Sequence, residues 1–446
     1  MTRLSRLSPL FLPSLLLALL LATACDRLPN PAAAGTPTAA PLAGPTPTLP
    51  PAATASAVQP PLPAAPLSPL RVWVPNEIGA RTAGGAEELN NQLRAFETAH
   101  RQLDVVVEQK PVEGPGGIVS YLRTGRAVAP SILPDLIALP TTTLADPSVR
   151  ELLFPLEGHL DPALLEDTYP ALAAQSVSDN RLYGFPFAVS GLPHLIYRPS
   201  VVSDTLPLSW PVFISDTNHT LILPADSRDG ALWGLQFYLA EGGSLADDAG
   251  KPALQAEPLT RALEQIALNK ANLLQSRQLK TLDEAWQYYQ LGLSDSVWTR
   301  SGYVLAQLTP ATADIPPADL AYGRVPGPRG ALTPLVTSWA WAITATDPAR
   351  QELAAELIQS LTTPENLATW SRRNQMLPAR REAMAVLAER NAYFEFAGAE
   401  LERAALMPIS ESGRLLDVLG DAVFQVLATE TAPATLAEDA AAALRQ

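Results

Sequence analysis

After residue 69, the spacing of hydrophobic and polar residues predicts a strand, a helix, a strand, a helix and a strand, in that order. Residues 70–74 form a short apolar run that predicts a strand, and residues 87–100 carry apolar side chains at helical spacing. Residues 103–107 alternate as a second strand, residues 121–122 fall in another predicted helix, and residues 131–139 predict a buried third strand. This order predicts a parallel sheet covered by helices.

Polar residues follow two of these predicted strands. Asn76 and Glu77 come after the first strand, and Thr141, Thr142 and Thr143 come after the third. Ligands of parallel α/β sheets bind beyond the carboxyl ends of the strands, so Asn76, Glu77 and Thr142 are candidate ligand-binding residues. The alternative is that they only form turns and helix caps.

The second half of the chain adds helices and one further strand. The segment Arg181–Arg198 is interrupted by glycine and proline, which predicts an extended segment that leaves one lobe and enters another. Residues 259–266 and 415–427 have helical periodicity, and Asp347 followed by Pro348 predicts the start of another helix. The run around Leu335 predicts a return to a sheet.

The first 24 residues are typical of an export signal. Arg3 and Arg6 precede the apolar run Leu10–Leu21, and Ala22-Thr23-Ala24 forms a small-residue cleavage site. Cys25, the sole cysteine, follows directly and resembles the lipidated cysteine of bacterial lipoproteins. That pattern usually has Leu where this chain has Ala22, and the alternative is ordinary cleavage beside an incidental cysteine.

Residues 25–68 predict a disordered tether after the lipidated cysteine. They consist almost entirely of Pro, Ala, Thr, Ser, Leu and Gly and hold no aromatic residue, so they cannot bury a core. Their prolines favour extended conformations at about 3.1 Å per residue. The remaining length of the chain suggests two domains or lobes.

Charge and motifs narrow the functional classes. The chain has 31 basic and 45 acidic residues, which argues against nucleic acid and against adhesion of the domain to anionic lipid. The four histidines lie at scattered positions without metal-ligand spacing, and no nucleophile elbow or phosphate-binding loop occurs. The prediction is therefore a protein that is not an enzyme and that has no cofactor and no metal.

Several stretches in order resemble a known family. They are LRVWVPNE, LNNQLRAFETAHRQLDVVVEQKP, PDLIALPTTTLADPSVRELLFPLEGHLD, DNRLYGFPF with LIYRPSVV, and LTTPENLATWSRRNQMLPARREAM. Together they are similar to the extracellular solute-binding proteins of ABC importers, in the carbohydrate-type family that includes maltose-binding protein. The resemblance implies an α/β, two-lobed periplasmic-binding-protein-like fold of type II, with parallel-dominated sheets flanked by helices.

In that family the chain crosses the hinge between lobes about three times. The expected crossings lie near residues 188–194, 293–299 and 338–346. These crossings assign residues 69–190 and 298–338 to an N-terminal lobe. They assign residues 191–297 and 339–446 to a C-terminal lobe.

The resemblance also implies which aromatic residues face a ligand. By position, Trp233, Trp298 and Trp339 resemble the aromatic residues that the family places at its lobe interface, with Tyr183 and Phe187 at the cleft edge. Simple burial in a core is the alternative for each tryptophan. Trp339 and Trp341 are two residues apart, so on a strand they share one face.

The implied function is a lipid-anchored receptor on the outer face of the cell membrane, most simply a monomer. It would capture a small solute, with a sugar or polyol favoured, and deliver it to the transmembrane subunits of an ABC permease. Two alternatives stay open at this point. One is an exported carbohydrate-active enzyme, and the other is a sensor or interaction lipoprotein on the same fold.

Overall fold

The computed structural model describes residues 68–101, 103–128, 132–178, 180–202, 206–216, 219–268, 270–273, 276–307, 319–409 and 413–445. The predicted signal peptide, Cys25 and the predicted tether up to residue 67 lie outside the described residues. Residues 64–446 form one compact unit.

Short strands build two main sheets and two small hairpins. The strands are β1 (Leu70–Val74), β2 (Val105–Gln109), β3 (Leu136–Pro140), β4 (Val177–Ser178), β5 (Arg181–Leu182), β6 (Phe185–Ser190), β7 (Pro193–Tyr197), β8 (Leu221–Ile222), β9 (Ser296–Arg300), β10 (Ala321–Gly323), β11 (Pro326–Gly327), β12 (Gly330–Ala331), β13 (Leu335–Ile343), β14 (Leu377–Pro378) and β15 (Ala405–Leu406).

Helices connect these strands and cover the sheets. They are α1 (Asn76–Gly79), α2 (Ala83–Ala99), α3 (Ile118–Val128), α4 (Thr141–Leu144), α5 (Pro147–Arg150), α6 (Pro162–Glu166), α7 (Pro170–Ser176), α8 (Pro199–Val202), α9 (Trp210–Ser215), α10 (Arg228–Ala240), α11 (Ala256–Ala267), α12 (Leu282–Gln290), α13 (Ser301–Gln307), α14 (Pro348–Leu361), α15 (Pro364–Arg373), α16 (Arg381–Ala388), α17 (Ala392–Leu401), α18 (Arg414–Ala428) and α19 (Pro433–Ala443). Two 3-10 turns span Lys270–Leu273 and Ser276–Gln278.

The first sheet has the strand order β14-β6-β13-β3-β1-β2, with β15 beside one end of β13. Its strands β2, β1 and β3 are mutually parallel, as the strand–helix–strand pattern predicts. Strand β13 runs antiparallel to both β3 and β6, so the sheet as a whole is mixed. The α/β fold class is confirmed.

The second sheet has the order β10-β7-β9-β8. Strand β7 is antiparallel to β9 and β10, and β8 is parallel to β9. Pro193 lies opposite Arg300 in this register. The last residue of β9 is therefore held beside the connection from β6 to β7.

That connection is the first passage of the chain between the sheets. Strand β6 belongs to the first sheet and β7 to the second, so the extended segment within Arg181–Arg198 passes from one sheet to the other. Gly191 lies between the two strands with a φ of 79°, a conformation that favours glycine.

Two of the expected lobe boundaries fall inside single strands. The boundary at 297/298 falls inside β9, all of which pairs with β7 in the second sheet, and β10 is in that sheet as well. The boundary at 338/339 falls inside β13, a central strand of the first sheet. The chain returns to the first sheet between β10 and β13, and it leaves again between β15 and α18. Single apolar strands carry no local mark of the sheet they join.

Two large cores accompany the sheets. The first contains the inner face of the first sheet together with residues of α2 and α14–α17. The second lies between one face of the second sheet and the packed helices α10, α11, α18 and α19. A smaller cluster around Trp73, Leu139 and Leu144 covers the other face of the first sheet. The helical periodicities at 259–266 and 415–427 predicted the buried faces of α11 and α18 correctly.

Capping residues and one ion pair explain local details. The Asp347 side chain accepts a hydrogen bond from the Ala349 N–H, with Pro348 in the first turn of α14, as predicted. From the same helix, Arg350 donates to both carboxylate oxygens of the buried Asp135, at 2.6 and 2.5 Å. Asp135 also accepts the Arg71 N–H at 2.8 Å, so this pair fixes α14 against β1 and β3.

Candidate functional site

A cavity of about 1060 Å³ with a mixed polar and apolar lining lies between the two sheets. Its lining comes from the ends of β3, β6 and β9, from interior residues of β13 and from residues of α1, α3, α4, α5, α10, α12 and α13. Elements of both sheets therefore contribute. The volume is at the upper end of the range of about 300–1,000 Å³ found for small-molecule sites.

The wall from the first sheet uses residues at the carboxyl ends of strands. Glu77 in α1 follows β1, and Thr142 and Thr143 in α4 follow β3; all three line the cavity. Thr141 is buried beneath them and its hydroxyl donates to the Ser338 carbonyl at 3.4 Å, which joins α4 to β13. The strand-end argument therefore located this wall correctly.

The indole of Trp339 lies at the cavity wall formed by β13. Its side chain is 7% exposed, and within the described residues its Nε1 has no hydrogen-bond partner. Thr337 and Ser190 lie beside it on β13 and β6. Trp341 shares its face, as the spacing predicts, but is more deeply buried and stacks on Phe187 with 4.5 Å between ring centroids.

The second sheet supplies charged residues to the opposite wall. Arg300 at the end of β9 pairs with Asp229 of α10, with 3.4 Å between Nη1 and Oδ1. Tyr303 of α13 lines the cavity and its hydroxyl donates to Asp283 Oδ1 at 2.8 Å. Burial and this carboxylate both raise the pKa of Tyr303, so the phenol stays neutral at physiological pH.

Five predicted ligand-binding residues lie elsewhere. Asn76 is exposed in α1 but does not line the cavity, and Tyr183 is half-buried against the cluster around Trp73. Trp233 and Trp298 are fully buried in the second core, and Phe187 is buried in the first. A side chain enclosed by its own core cannot contact a solute in this conformation, so the core alternative fits the two tryptophans, and Phe187 is likewise a core residue.

Burial of the two tryptophans has a clear packing reason. Trp233 packs edge-to-face with Trp210 and Phe237, at 5.6 and 5.1 Å between ring centroids. The side chain of Trp298 lies on the face of the second sheet that α10 and α18 cover. An aromatic residue in a strand or helix carries the same sequence signal whether it faces a core or a cleft.

Sequence reasoning did not select Arg81, Asp229, Arg300 or Tyr303 as ligand-binding residues. Arg81 follows α1 directly, and all four residues line the cavity. Position at a strand end is the signal that points to Arg300, and the only local hint for Arg81 is its place four residues after Glu77. Asp229 and Tyr303 belong to helices and have no comparable signal.

The cavity combines hydroxyl groups, carboxylates, guanidinium groups and one indole, a set suited to a solute with many hydroxyl groups and an apolar C–H face. Among the described residues, no group of three or more His, Cys, Asp or Glu side chains is placed to hold a metal ion. In the same part of the chain, no helix is both long and apolar enough to span a membrane.

Two helix-covered sheets that enclose a cavity define the class of two-lobed α/β solute-binding proteins. The sequence profile of the bacterial extracellular solute-binding proteins matches residues 91–394, more than half of the chain, and the chain belongs to this family. No curated protein sequence matches the chain significantly.

Solved structures of maltose-type binding proteins have a similar fold. The sugar-binding protein MalE of Xanthomonas citri has a TM-score of 0.64 and 17% identity, over 84% of this chain and 96% of that one. The GacH receptor of Streptomyces glaucescens, solved unliganded and with acarbose, has a TM-score of 0.59 and 20% identity, over 85% and 98%. The maltose-maltodextrin binding protein of Alicyclobacillus acidocaldarius has a TM-score of 0.58 and 17% identity, over 85% and 100%.

Proposed function

We propose that this protein is the solute receptor of an ABC importer and that it binds an oligosaccharide or polyol in the cavity between its sheets. The observation that carries the proposal is the cavity itself, whose lining combines Trp339, a 7% exposed residue of the first core, with the hydroxyl-bearing residues Ser190, Thr142 and Thr337. An aromatic face packs against the C–H face of a sugar while such hydroxyls bond to its hydroxyl groups. Structures with the same fold carry acarbose, maltose and maltotriose.

Ligand capture would use the two sheets as the centres of two lobes. We assign residues 69–190 and 335–406 to the first lobe and residues 193–323 and 413–445 to the second. Gly191, between β6 and β7, would be one hinge point, because a residue without a Cβ atom can change its own φ and ψ more freely than other residues. Closure of the lobes would then present a surface to the transmembrane subunits of a permease.

The N-terminal region supports export and anchoring. A signal peptide at residues 1–24 would direct the chain across the membrane, and lipidation of Cys25 would hold it on the outer face. Residues 26–68 would act as a tether that lets the domain reach solute away from the membrane.

Titration calorimetry of the purified full-length protein with maltotriose and related oligosaccharides tests the binding proposal. We expect saturable binding of at least one oligosaccharide without its hydrolysis. Trp339→Ala should weaken that binding about 30-fold, the effect of losing an aromatic anchor worth about 2 kcal/mol. Phe424→Ala is the control, because Phe424 is half-buried on α18 and does not line the cavity. Turnover of the sugar, or full affinity in Trp339→Ala, would contradict the proposal.

A further inference from the structure

Two guanidinium groups from different sheets lie in the same part of the cavity. Arg81 follows α1 on the side of the first sheet, and Arg300 ends β9 in the second. A backbone hydrogen bond joins the residue after Arg300 to the β6–β7 connection, since the Ser301 N–H donates to the Leu192 carbonyl at 2.9 Å. The end of β9 therefore lies directly beside the connection that contains Gly191.

Both guanidinium groups lie against glycines. A Cβ atom at position 302 would lie 2.6 Å from Arg81 Nη2, and a Cβ atom at position 191 would overlap Arg300 Nη2. Any other residue at these positions would push the arginine side chains away. Because Gly191 and Gly302 have no side chain, they leave the space that the guanidinium groups of Arg300 and Arg81 occupy.

The charge of Arg81 is not neutralised by a close partner. Arg81 forms no hydrogen bond or ion pair with any of the described residues, although Glu77 acts favourably on it at longer range. Partial burial lowers the pKa of Arg81, and the positive charge of Arg300 lowers it further. Arg300 has Asp229 as a partner at 3.4 Å, and Arg123, at another part of the lining, has Asp146 at 3.6 Å and Ser148.

Such an arrangement is suited to an oxyanion. Guanidinium groups bind carboxylate and phosphate oxygens through paired, charge-assisted hydrogen bonds. An anion between Arg81 and Arg300 would remove the repulsion between the two cations and would join groups from both sheets. The carboxylates Glu77, Glu113, Asp146 and Asp229 also line the cavity, so the preference for an anion is confined to the Arg81–Arg300 region.

We propose that the solute bound in this cavity is a saccharide that carries an oxyanion, and that this oxyanion lies between Arg81 and Arg300. The inference rests on the proposed function and narrows its solute class from oligosaccharides and polyols in general to saccharides that carry an acidic group. A uronic-acid carboxylate and a sugar phosphate ester share the required chemistry.

Calorimetric titration of the full-length protein with three matched trisaccharides tests the inference. The ligands are maltotriose, maltotriose with its terminal unit oxidised to a uronate, and maltotriose carrying a 6-phosphate; inorganic phosphate alone is a fourth arm. We expect one of the charged forms to bind about 10- to 100-fold more tightly than maltotriose. The form that binds more tightly identifies the oxyanion.

Arg81→Gln should abolish the preference for the charged form, and Arg81→Lys should retain part of it because the charge remains. Arg94→Gln is the matched control, since Arg94 is exposed on α2 and does not line the cavity. Equal or tighter binding of neutral maltotriose overturns the anion inference and leaves the proposed function standing. Binding of none of the saccharides contradicts both the anion inference and the proposed function. Binding of phosphate as tightly as the phosphorylated sugar overturns the inference, because the site then recognises an ion alone.

Discussion

Acidification should destabilise the protein through His194, which lies on β7 with no exposed surface. Its ring packs against Tyr393 and Phe396 of α17 and against Tyr322 of β10, at 5.5, 5.6 and 6.4 Å between ring centroids. Its Nδ1 lies 3.1 Å from the Leu192 carbonyl, which assigns the proton of the neutral ring to Nδ1. Among the described residues, Nε2 has no hydrogen-bond partner. A second proton on the ring would therefore be buried without an acceptor.

The size of the effect follows from the pKa of this histidine. Burial lowers the pKa of His194 from 6.5 to about 4, and the Leu192 carbonyl opposes part of that shift. Between these two values the unfolded chain binds a proton that the native protein does not, so the free energy of unfolding decreases as the pH falls from about 6.5 to about 4. A difference of about 2.5 pKa units corresponds to at most about 3 kcal/mol.

The neighbouring phenols do not obscure this titration. Burial raises the pKa of Tyr322 to about 12 and raises that of Tyr393 well above its ordinary value, so both stay neutral throughout the range. Carboxylates elsewhere in the chain also titrate below about pH 5, and a variant without the imidazole is needed to separate their contribution.

Urea unfolding of the wild-type protein and His194→Asn, followed by tryptophan fluorescence from about pH 7 to about pH 4, provides the assay. The asparagine amide retains a donor near the Leu192 carbonyl but has no proton to gain. We expect the wild type to lose about 3 kcal/mol more than the variant over this range, whatever their difference at neutral pH. Parallel pH profiles of the two proteins would refute the assignment of a buried, neutral His194.

Three further predictions concern the core, an ion pair and the anchor. Trp233→Ala should lower the free energy of unfolding by about 3–5 kcal/mol because Trp233 is fully buried. It should leave the affinity for an oligosaccharide unchanged. A tenfold loss of affinity in folded protein would place Trp233 in the site. Arg350→Ala should lower the free energy of unfolding by about 2–3 kcal/mol, because it leaves the Asp135 carboxylate without its arginine partner. In a double-mutant cycle, Arg350→Ala together with Asp135→Asn should lower the free energy of unfolding by less than the sum of the two single changes. Cys25→Ser should move the protein from the membrane fraction to the soluble fraction, and continued membrane retention would exclude the lipid anchor.

The sequence by itself indicated the class of fold and several of its longer secondary-structure elements. Apolar spacing is a local property, so it predicted β1, the faces of α2, α11 and α18, and the extended passage from β6 to β7. The strand-end rule placed Glu77 and Thr142 at the cavity because the carboxyl ends of β1 and β3 meet at one edge of a sheet.

Only the tertiary structure decided which strands share a sheet and which aromatic residues face the cavity. Trp233, Trp298 and Trp339 have similar local signals, but Trp233 and Trp298 have no exposed surface in the second core, whereas Trp339, 7% exposed in the first core, reaches the lining of the cavity. The approach of Arg81 to Arg300 likewise arises from segments far apart in the chain. Pairing, packing and charge proximity depend on which distant segments meet, and no local periodicity records those contacts.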